Sequence, residues 1–255
     1  MNAFRPCIVI PYYDHPLTVG AMLDGLEPLR IPCWVVDDGS DPGSADALSA
    51  AAARHSWVKI IKHSCNRGKG AAVLTGCRAA IGAGRTHALQ VDADNQHRLA
   101  DAPAMLGLAA ASPHALILGA PLYDATVPRV RLIGRYLTHG MVALNTLSLA
   151  IRDSMCGYRV YPLTELVELA DGATLGARME FDIEVTVRLS WGGTEIVNMP
   201  TPVTYPADGV SHFKLWRDNV RISAMHTRLF FGMLWRLPRL ALRPLAAADV
   251  QRSAT

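Results

Sequence analysis

The chain predicts an α/β fold, a mostly parallel sheet flanked by helices, and three observations carry that expectation. Short apolar, β-branched runs stop abruptly in polar or glycine-rich residues at 7–16 (CIVIPYYDHP), 33–41 (CWVVDDGSD) and 58–61 (VKII, followed by NRGKGAA at 66–72). Alanine-rich stretches, Ala45 to Ala53 and Ala71 to Ala83, lie between such runs and suit crossover helices. With 255 residues, 50% of them hydrophobic, the chain can bury one sizeable core, and its 18% charged fraction is too low for disorder.

The first strand is Cys7-Ile8-Val9-Ile10, halted by Pro11 and Pro16. The second, Cys33 to Val36, ends in Asp37-Asp38-Gly39. After the third, Val58 to Ile61, a loop with Gly68, Lys69 and Gly70 enters a helix at Ala71, offering backbone N–H groups and a cation to an anion such as a nucleotide phosphate. That loop lacks the spacing of an ATPase phosphate loop and of a Gly-x-Gly-x-x-Gly dinucleotide turn. A fourth run, Ala88 to Val91, leads into VDADNQH at 91–97. Ligands of such open sheets sit at the carboxyl ends of the strands, where Tyr12 to Asp14, Asp37 to Ser40 and Asp92 to Gln96 would converge.

VDADNQH sets two carboxylates two residues apart at the end of a strand. A hard cation such as Mg²⁺ or Mn²⁺ takes oxygen ligands, one or two carboxylates together with substrate phosphates. Alternation places Asp92, Asp94 and the Gln96 amide on one side of an extended chain, where they would hold such an ion against a diphosphate. For an isolated Asp-x-Asp, a polar loop capping the next helix is the competing reading. Its position among three similarly built segments favours the metal.

The order of these segments resembles glycosyltransferase family 2, with the GT-A fold, in its dolichol-phosphate-mannose-synthase-like branch. The resemblance runs from about residue 5 to about residue 213 and includes MCGYRVYP at 155–162 preceded by Asp153, RMEFDIEVTVRLSWGG at 178–193 and NMPTPVTYPADGVSHF at 198–213. ILGAPLYDA and TLSLAIRDSMCGYR look closer to glycosyltransferases associated with aryl-polyene or xanthomonadin-type pigment lipids. The resemblance implies a nucleotide-diphosphate sugar donor. It implies that Pro11, Tyr12 and Asp14 flank base and ribose, that Asp37 and Asp38 accept hydrogen bonds from them, and that Asp92, Asp94 and Gln96 form the metal and diphosphate cluster. Two departures stand out. Ala120 and Pro121 occupy the place of an arginine after Leu116 to Gly119, and Pro206 and His212 replace the Arg and Lys around the branch's Gly-x-Ser-Lys. Arg129, Arg131 and Arg135 are candidate replacement charges for an acceptor phosphate, set against a solvated basic face.

A metal-bound nucleoside diphosphate is a good leaving group, because the cation neutralises charge developing on the β-phosphate. A hydroxyl acceptor then needs a carboxylate base in an in-line, inverting displacement, whereas a phosphate acceptor needs none. Asp153 is the first candidate base, with Glu180, Asp182 and Glu184 behind it. Glu180 and Glu184 share a helical face, so pairing with Arg178 or Arg188 competes with catalysis. His212 is a further candidate phosphate or metal contact, although a lone loop histidine is more often merely polar. The expected function is metal-dependent, inverting sugar transfer to a lipid, polyene or polyprenyl-phosphate acceptor. A nucleotidyltransferase would want a glycine-rich basic loop after the first strand, and Pro11-Tyr12-Tyr13-Asp14 is not one. Against a non-catalytic nucleotide-sugar and membrane-binding module stands the metal triad.

The net charge of +3 hides an asymmetry, since residues 214–243 carry +6 and leave −3 for the rest. The expected organisation is a GT-A domain over 1–213, a basic amphipathic helix over 214–243 and a flexible tail over 244–255. Ile222, Met225, Leu229, Met233 and Leu237 recur at helical spacing, with Arg217, Arg221, Arg228 and Arg239 opposite. That stripe suits either a membrane interface or packing on the domain or on a second subunit, as in a homodimer. No nucleic-acid-binding motif is present. Five cysteines without ligand spacing, no room for a signal peptide before Cys7 and no long uncharged apolar run predict a reduced cytoplasmic setting, peripheral to the inner membrane face if the helix docks there.

Overall fold

In β1 (Pro6–Tyr12) alternate residues serve two different cores. Cys7 and Val9 pack with one cluster; Ile8, Ile10 and Tyr12 pack with another on the opposite face. This period-two alternation, apolar on both sides, marks a strand buried between two layers. The computed structural model describes residues 3–123, 127, 129–203 and 214–242, the side chains of 129–131 and 215 excepted.

β2 (Cys33–Asp37), β3 (Val58–Lys62), β4 (His87–Gln90), β5 (Leu116–Tyr123), β6 (Arg159–Pro162) and β7 (Ile196–Val203) complete one seven-stranded sheet in the order β3-β2-β1-β4-β6-β5-β7. All neighbours are parallel except β6, which runs antiparallel to β4 and β5. Its reversal carries residues 153–158 back beside the end of β4. Helices α1 (Val19–Leu26), α2 (Pro42–Ala52) and α4 (Ala102–Ala111) cover one face. The other is covered by α3 (Lys69–Gly82), α6 (Leu163–Gly172), α7 (Phe181–Gly192) and α8 (Leu215–Ala241), with α5 (Arg129–Thr146) packed on α7 and α8.

The C-terminal helix divides the expected apolar stripe. Ile222, Met225, Leu229 and Met233 are buried in the domain core, so this part packs on protein, while Leu237 remains 39% exposed. A second, outward strip takes over on the far side: Trp216, Val220, Phe231, Leu234 and Trp235 are all exposed. No helix among the described residues is long and apolar enough to cross a membrane. All five cysteines are free, and Cys65 alone of them is exposed.

Candidate active site

The carboxyl ends of β2, β1 and β4 lie side by side, with Tyr12 paired in register to Asp37 and Val9 to Gln90. The predicted segments therefore do converge, although several side chains have tasks within the fold. Tyr12 is fully buried and donates its hydroxyl to the Ser44 carbonyl at 2.8 Å, so its ring belongs to the core beneath the site. Pro11 is half-buried at the strand end. Asp14, in a left-handed conformation (φ 50°), accepts the Asp41 N–H and donates its own N–H to the Ser40 hydroxyl, closing the β1 and β2 loops on each other. Asp37 accepts the Ser40 N–H at 3.0 Å.

Asp38 departs furthest from the expected contact with base or ribose. Its carboxylate accepts the backbone N–H groups of Arg67 and Gly68 at 2.9 and 2.7 Å, and His63 Nδ1 lies 2.7 Å away. The donors expected to cradle a bound anion at the start of α3 are thus met by an internal one, as a helix N-terminus favours. Gly68 (φ 103°) is required here, because a Cβ would strike the Ala177 carbonyl.

Lys69 turns inward. Its Nζ donates to Asp92 Oδ2 at 2.7 Å and to Asp182 Oδ2 at 2.6 Å. Burial works against its charge, but the two carboxylates outweigh burial and raise its proton affinity above the ordinary lysine value. For Asp92, burial opposes ionisation and Lys69 overcomes it, so the carboxyl is held below its usual range; Oδ1 accepts the Gln90 amide at 3.1 Å. Asp94 differs: burial first, then the Asp92 charge, push it up. It accepts the Gln96 N–H at 3.1 Å. Two carboxylates and an amide oxygen are the hard donors that Mg²⁺ or Mn²⁺ takes. Among the described residues, however, no three His, Cys, Asp or Glu side chains converge into a metal-holding group. The donor set fits such an ion only with further oxygens from a diphosphate.

Neither candidate base stands free. Asp153, buried, accepts the Met155 and Cys156 N–H groups through Oδ1, and the Tyr123 hydroxyl and Arg135 Nη1 through Oδ2. His139 Nε2 is 3.4 Å from Oδ2. Burial opposes the charge, but the histidine, Arg135 and the backbone donors prevail and hold Asp153 far below the carboxylate range. Glu184, 0% exposed, is gripped by Arg188 through Nε and Nη2 at 2.9 and 2.8 Å, and accepts the Gly176 N–H. The pairing with Arg188 is the one helical spacing offered as the competing reading. His212 and Pro206 lie outside the described residues, as do the side chains of Arg129 and Arg131.

Of two further contributors, the sequence marks Asp182 only as a reserve base and assigns His97 no role. Asp182 is the second anchor of Lys69, and His97 stacks on Tyr158 with ring centroids 5.1 Å apart. Burial, reinforced by Lys69 and Arg135, keeps His97 neutral to lower pH than an ordinary histidine. Position right after the two aspartates is a signal for His97; nothing in the sequence pairs Asp182 with Lys69 across 113 residues.

Residues 7–164 match the model of the family described as glycosyl transferase family 2. The chain is 29% identical over 243 residues to a polyprenol monophosphomannose synthase of Mycolicibacterium smegmatis, covering 92% of this chain and 89% of that protein. It is 26% identical over 207 residues to an undecaprenyl-phosphate mannosyltransferase of Micrococcus luteus, covering 77% and 82%. Among solved structures, glucosyl-3-phosphoglycerate synthase from Mycobacterium tuberculosis in complex with Mn²⁺ and UDP-glucose superimposes with a TM-score of 0.62 at 16% identity, over 95% of this chain and 81% of that one. A mannosyltransferase from Pyrobaculum calidifontis in complex with GDP-Man and Mn²⁺ gives 0.57 at 16% identity, over 93% and 73%. These likenesses establish the GT-A fold.

Proposed function

The chain belongs to glycosyltransferase family 2, in its dolichol-phosphate-mannose-synthase-like branch, and we propose that this nucleotide-sugar glycosyltransferase moves its sugar, with inversion, onto a polyprenyl-phosphate or similarly phosphorylated lipid. The observation that carries this reading is the engagement of both candidate bases. A hydroxyl acceptor needs a carboxylate with proton affinity to spare, whereas Asp153 is held by four donors and Glu184 by an arginine fork. A phosphate monoester attacks without losing a proton to the protein. The two relatives named for polyprenol and undecaprenyl phosphate support the same acceptor class.

Donor chemistry follows from the residues at the strand ends. Pro11, Asp14 and Asp37 border the place for base and ribose. Asp92, Asp94 and Gln96 would hold Mg²⁺ or Mn²⁺, which when bound supplies the charge that stabilises the departing diphosphate. The Mn²⁺ complexes of the two structural neighbours support a divalent ion here. Lys69 donates to two carboxylates, and the third donor of its ammonium would meet a phosphate oxygen.

A lipid acceptor also asks for a surface at which to be met. Apart from Leu17 and Leu122, the exposed large apolar residues of the described chain fall on α5 (Ile133, Tyr136, Leu137, Leu144), on the turn after it (Leu147, Leu149), or on α8 and Leu242. Along α8 the outward apolar strip is flanked by Arg217, Arg228 and Arg239, all exposed. An apolar strip edged by arginines suits the interface of an anionic bilayer. The deciding experiment offers purified protein a panel of UDP-, GDP- and dTDP-sugars with Mg²⁺ or Mn²⁺, and either a polyprenyl phosphate or the matching free alcohol. Transfer to the phosphate alone is expected; transfer to the alcohol alone would overturn the acceptor reading.

A further inference from the structure

We propose that Lys69 is an internal counter-ion that makes divalent-cation binding conditional on the diphosphate of the donor. The inference rests on the donor reading above and concerns how the site is loaded. The Lys69 side chain, 16% exposed, reaches the site from the start of α3 and joins Asp92, after β4, to Asp182, in the first turn of α7. The backbone that carries it is held in place. A Cβ on Gly70 would collide with the Phe181 ring, one on Gly68 with the Ala177 carbonyl, and the Ala71 N–H is bonded to that same carbonyl at 3.1 Å. The loop is fixed by packing and by the Asp38 carboxylate.

A free divalent ion approaching Asp92 therefore meets a positive charge already on that carboxylate. Asp92 Oδ2 is bound to Lys69, its Oδ1 accepts Gln90, and one oxygen of Asp94 accepts a backbone N–H. Few protein oxygens remain to replace the water of a hard cation, and like-charge repulsion opposes it. A nucleoside diphosphate removes both obstacles, since it brings oxygens for the metal and negative charge to balance metal and ammonium together. Metal and nucleotide should accordingly load as a unit. Lys69 is here a positioning residue, acting on the cation through Asp92.

The test is a Mn²⁺ titration followed by electron paramagnetic resonance of the free aquo ion, which needs no turnover. Wild-type protein should bind Mn²⁺ weakly alone and at least tenfold more tightly with one of UDP, GDP or dTDP. Lys69→Met should bind Mn²⁺ alone at least tenfold more tightly than wild type, and nucleotide should then add less than threefold. Because Lys69→Met leaves the buried Asp182 carboxylate only the Arg159 guanidinium, 3.9 Å away, the double variant Lys69→Met/Asp182→Asn, free of that charge, carries the same expectation. Lys69→Arg, which keeps the charge, should behave as wild type. Unchanged or weaker Mn²⁺ affinity in the folded methionine variants overturns the inference, as does tight Mn²⁺ binding by wild type alone. If no nucleotide binds wild type, the donor reading fails, while the nucleotide-free comparison still decides the role of Lys69.

Discussion

Gly157 lies directly over the Asp92 carboxylate, so close that a Cβ built on the glycine overlaps both carboxylate oxygens and the carbon between them. β6 runs antiparallel into the gap between β4 and β5 and brings this glycine to the segment that holds Asp92 and Asp94. Its hydrogen is what leaves Asp92 room to meet Lys69. Gly157→Ala should displace the carboxylate, costing about 1–3 kcal/mol through overpacking and at least tenfold in donor affinity. Thermal shift with and without nucleotide sugar reads both quantities. Wild-type donor affinity in this variant would show that the position of Asp92 is unimportant.

Asp94→Asn should abolish metal-dependent donor binding without lowering stability. The folded state raises the proton affinity of this carboxyl, through burial and then through Asp92. A raised carboxyl is unstrained below its unfolded value, about 3.9, and destabilises the fold as pH rises through the folded value. The asparagine variant should therefore match wild type in acid and equal or exceed it at neutral pH, as chemical denaturation at pH 3.5 and 7 would read. A loss of stability at pH 7 alone would contradict this.

Asp153 has the opposite sign. Its depressed folded value means stability that is present above about pH 4 and lost as pH falls through the carboxylate range toward the folded value. Asp153→Ala removes the carboxylate paired with the mostly buried Arg135 guanidinium and should cost about 3–5 kcal/mol. In Asp153→Asn, turnover on a polyprenyl phosphate should fall no more than tenfold at a temperature where the variant is folded. A thousandfold loss in kcat with unaltered donor affinity would restore Asp153 as a base.

Glu184→Gln should act on stability rather than on chemistry. The carboxylate joins α7 to the 176 turn through the Gly176 N–H and lies 3.5 Å from Arg228 on α8. Loss of one charge from a buried, forked pair predicts a fall of several degrees in Tm, with kcat on phosphate acceptor within a few-fold of wild type. A dead but fully stable variant would reverse the assignment.

Surface and core residues of α8 should separate cleanly. Arg217→Glu/Arg239→Glu, or Trp216→Ser/Trp235→Ser, should lower cosedimentation with anionic vesicles at low salt and leave donor binding intact, because these side chains are exposed. Arg228 is a poorer choice, since a glutamate there would face Glu184. Met225→Glu should unfold the domain, for Met225 is 0% exposed. Undiminished vesicle binding in both surface variants would place membrane contact elsewhere.

The sequence by itself determined the four parallel strands from β1 to β4, because short apolar runs halted by polar or turn residues record burial, on both faces in β2 and partial at the edge strand β3, and a turn at the ligand edge. Local spacing also put Asp92, Asp94 and Gln96 at the ligand edge, although they follow β4 in a turn with Asn95 left-handed (φ 56°) and not in the extended alternation expected. Local pattern could say that α8 has an apolar stripe, and its period reports burial without naming the partner; the tertiary structure assigned Ile222 to Met233 to the core and turned Trp216 and Trp235 outward. Likewise, a carboxylate's chemistry depends on which donors surround it, and those come from far along the chain. Asp38 reads as a ligand contact until Arg67 and Gly68 are seen to occupy it, and Asp153 reads as a base until Arg135, Tyr123 and two backbone amides fill its lone pairs. The antiparallel insertion of β6 decides the rest, bringing Gly157 onto Asp92 and α7 with Asp182 onto Lys69, contacts that no sequence spacing encodes.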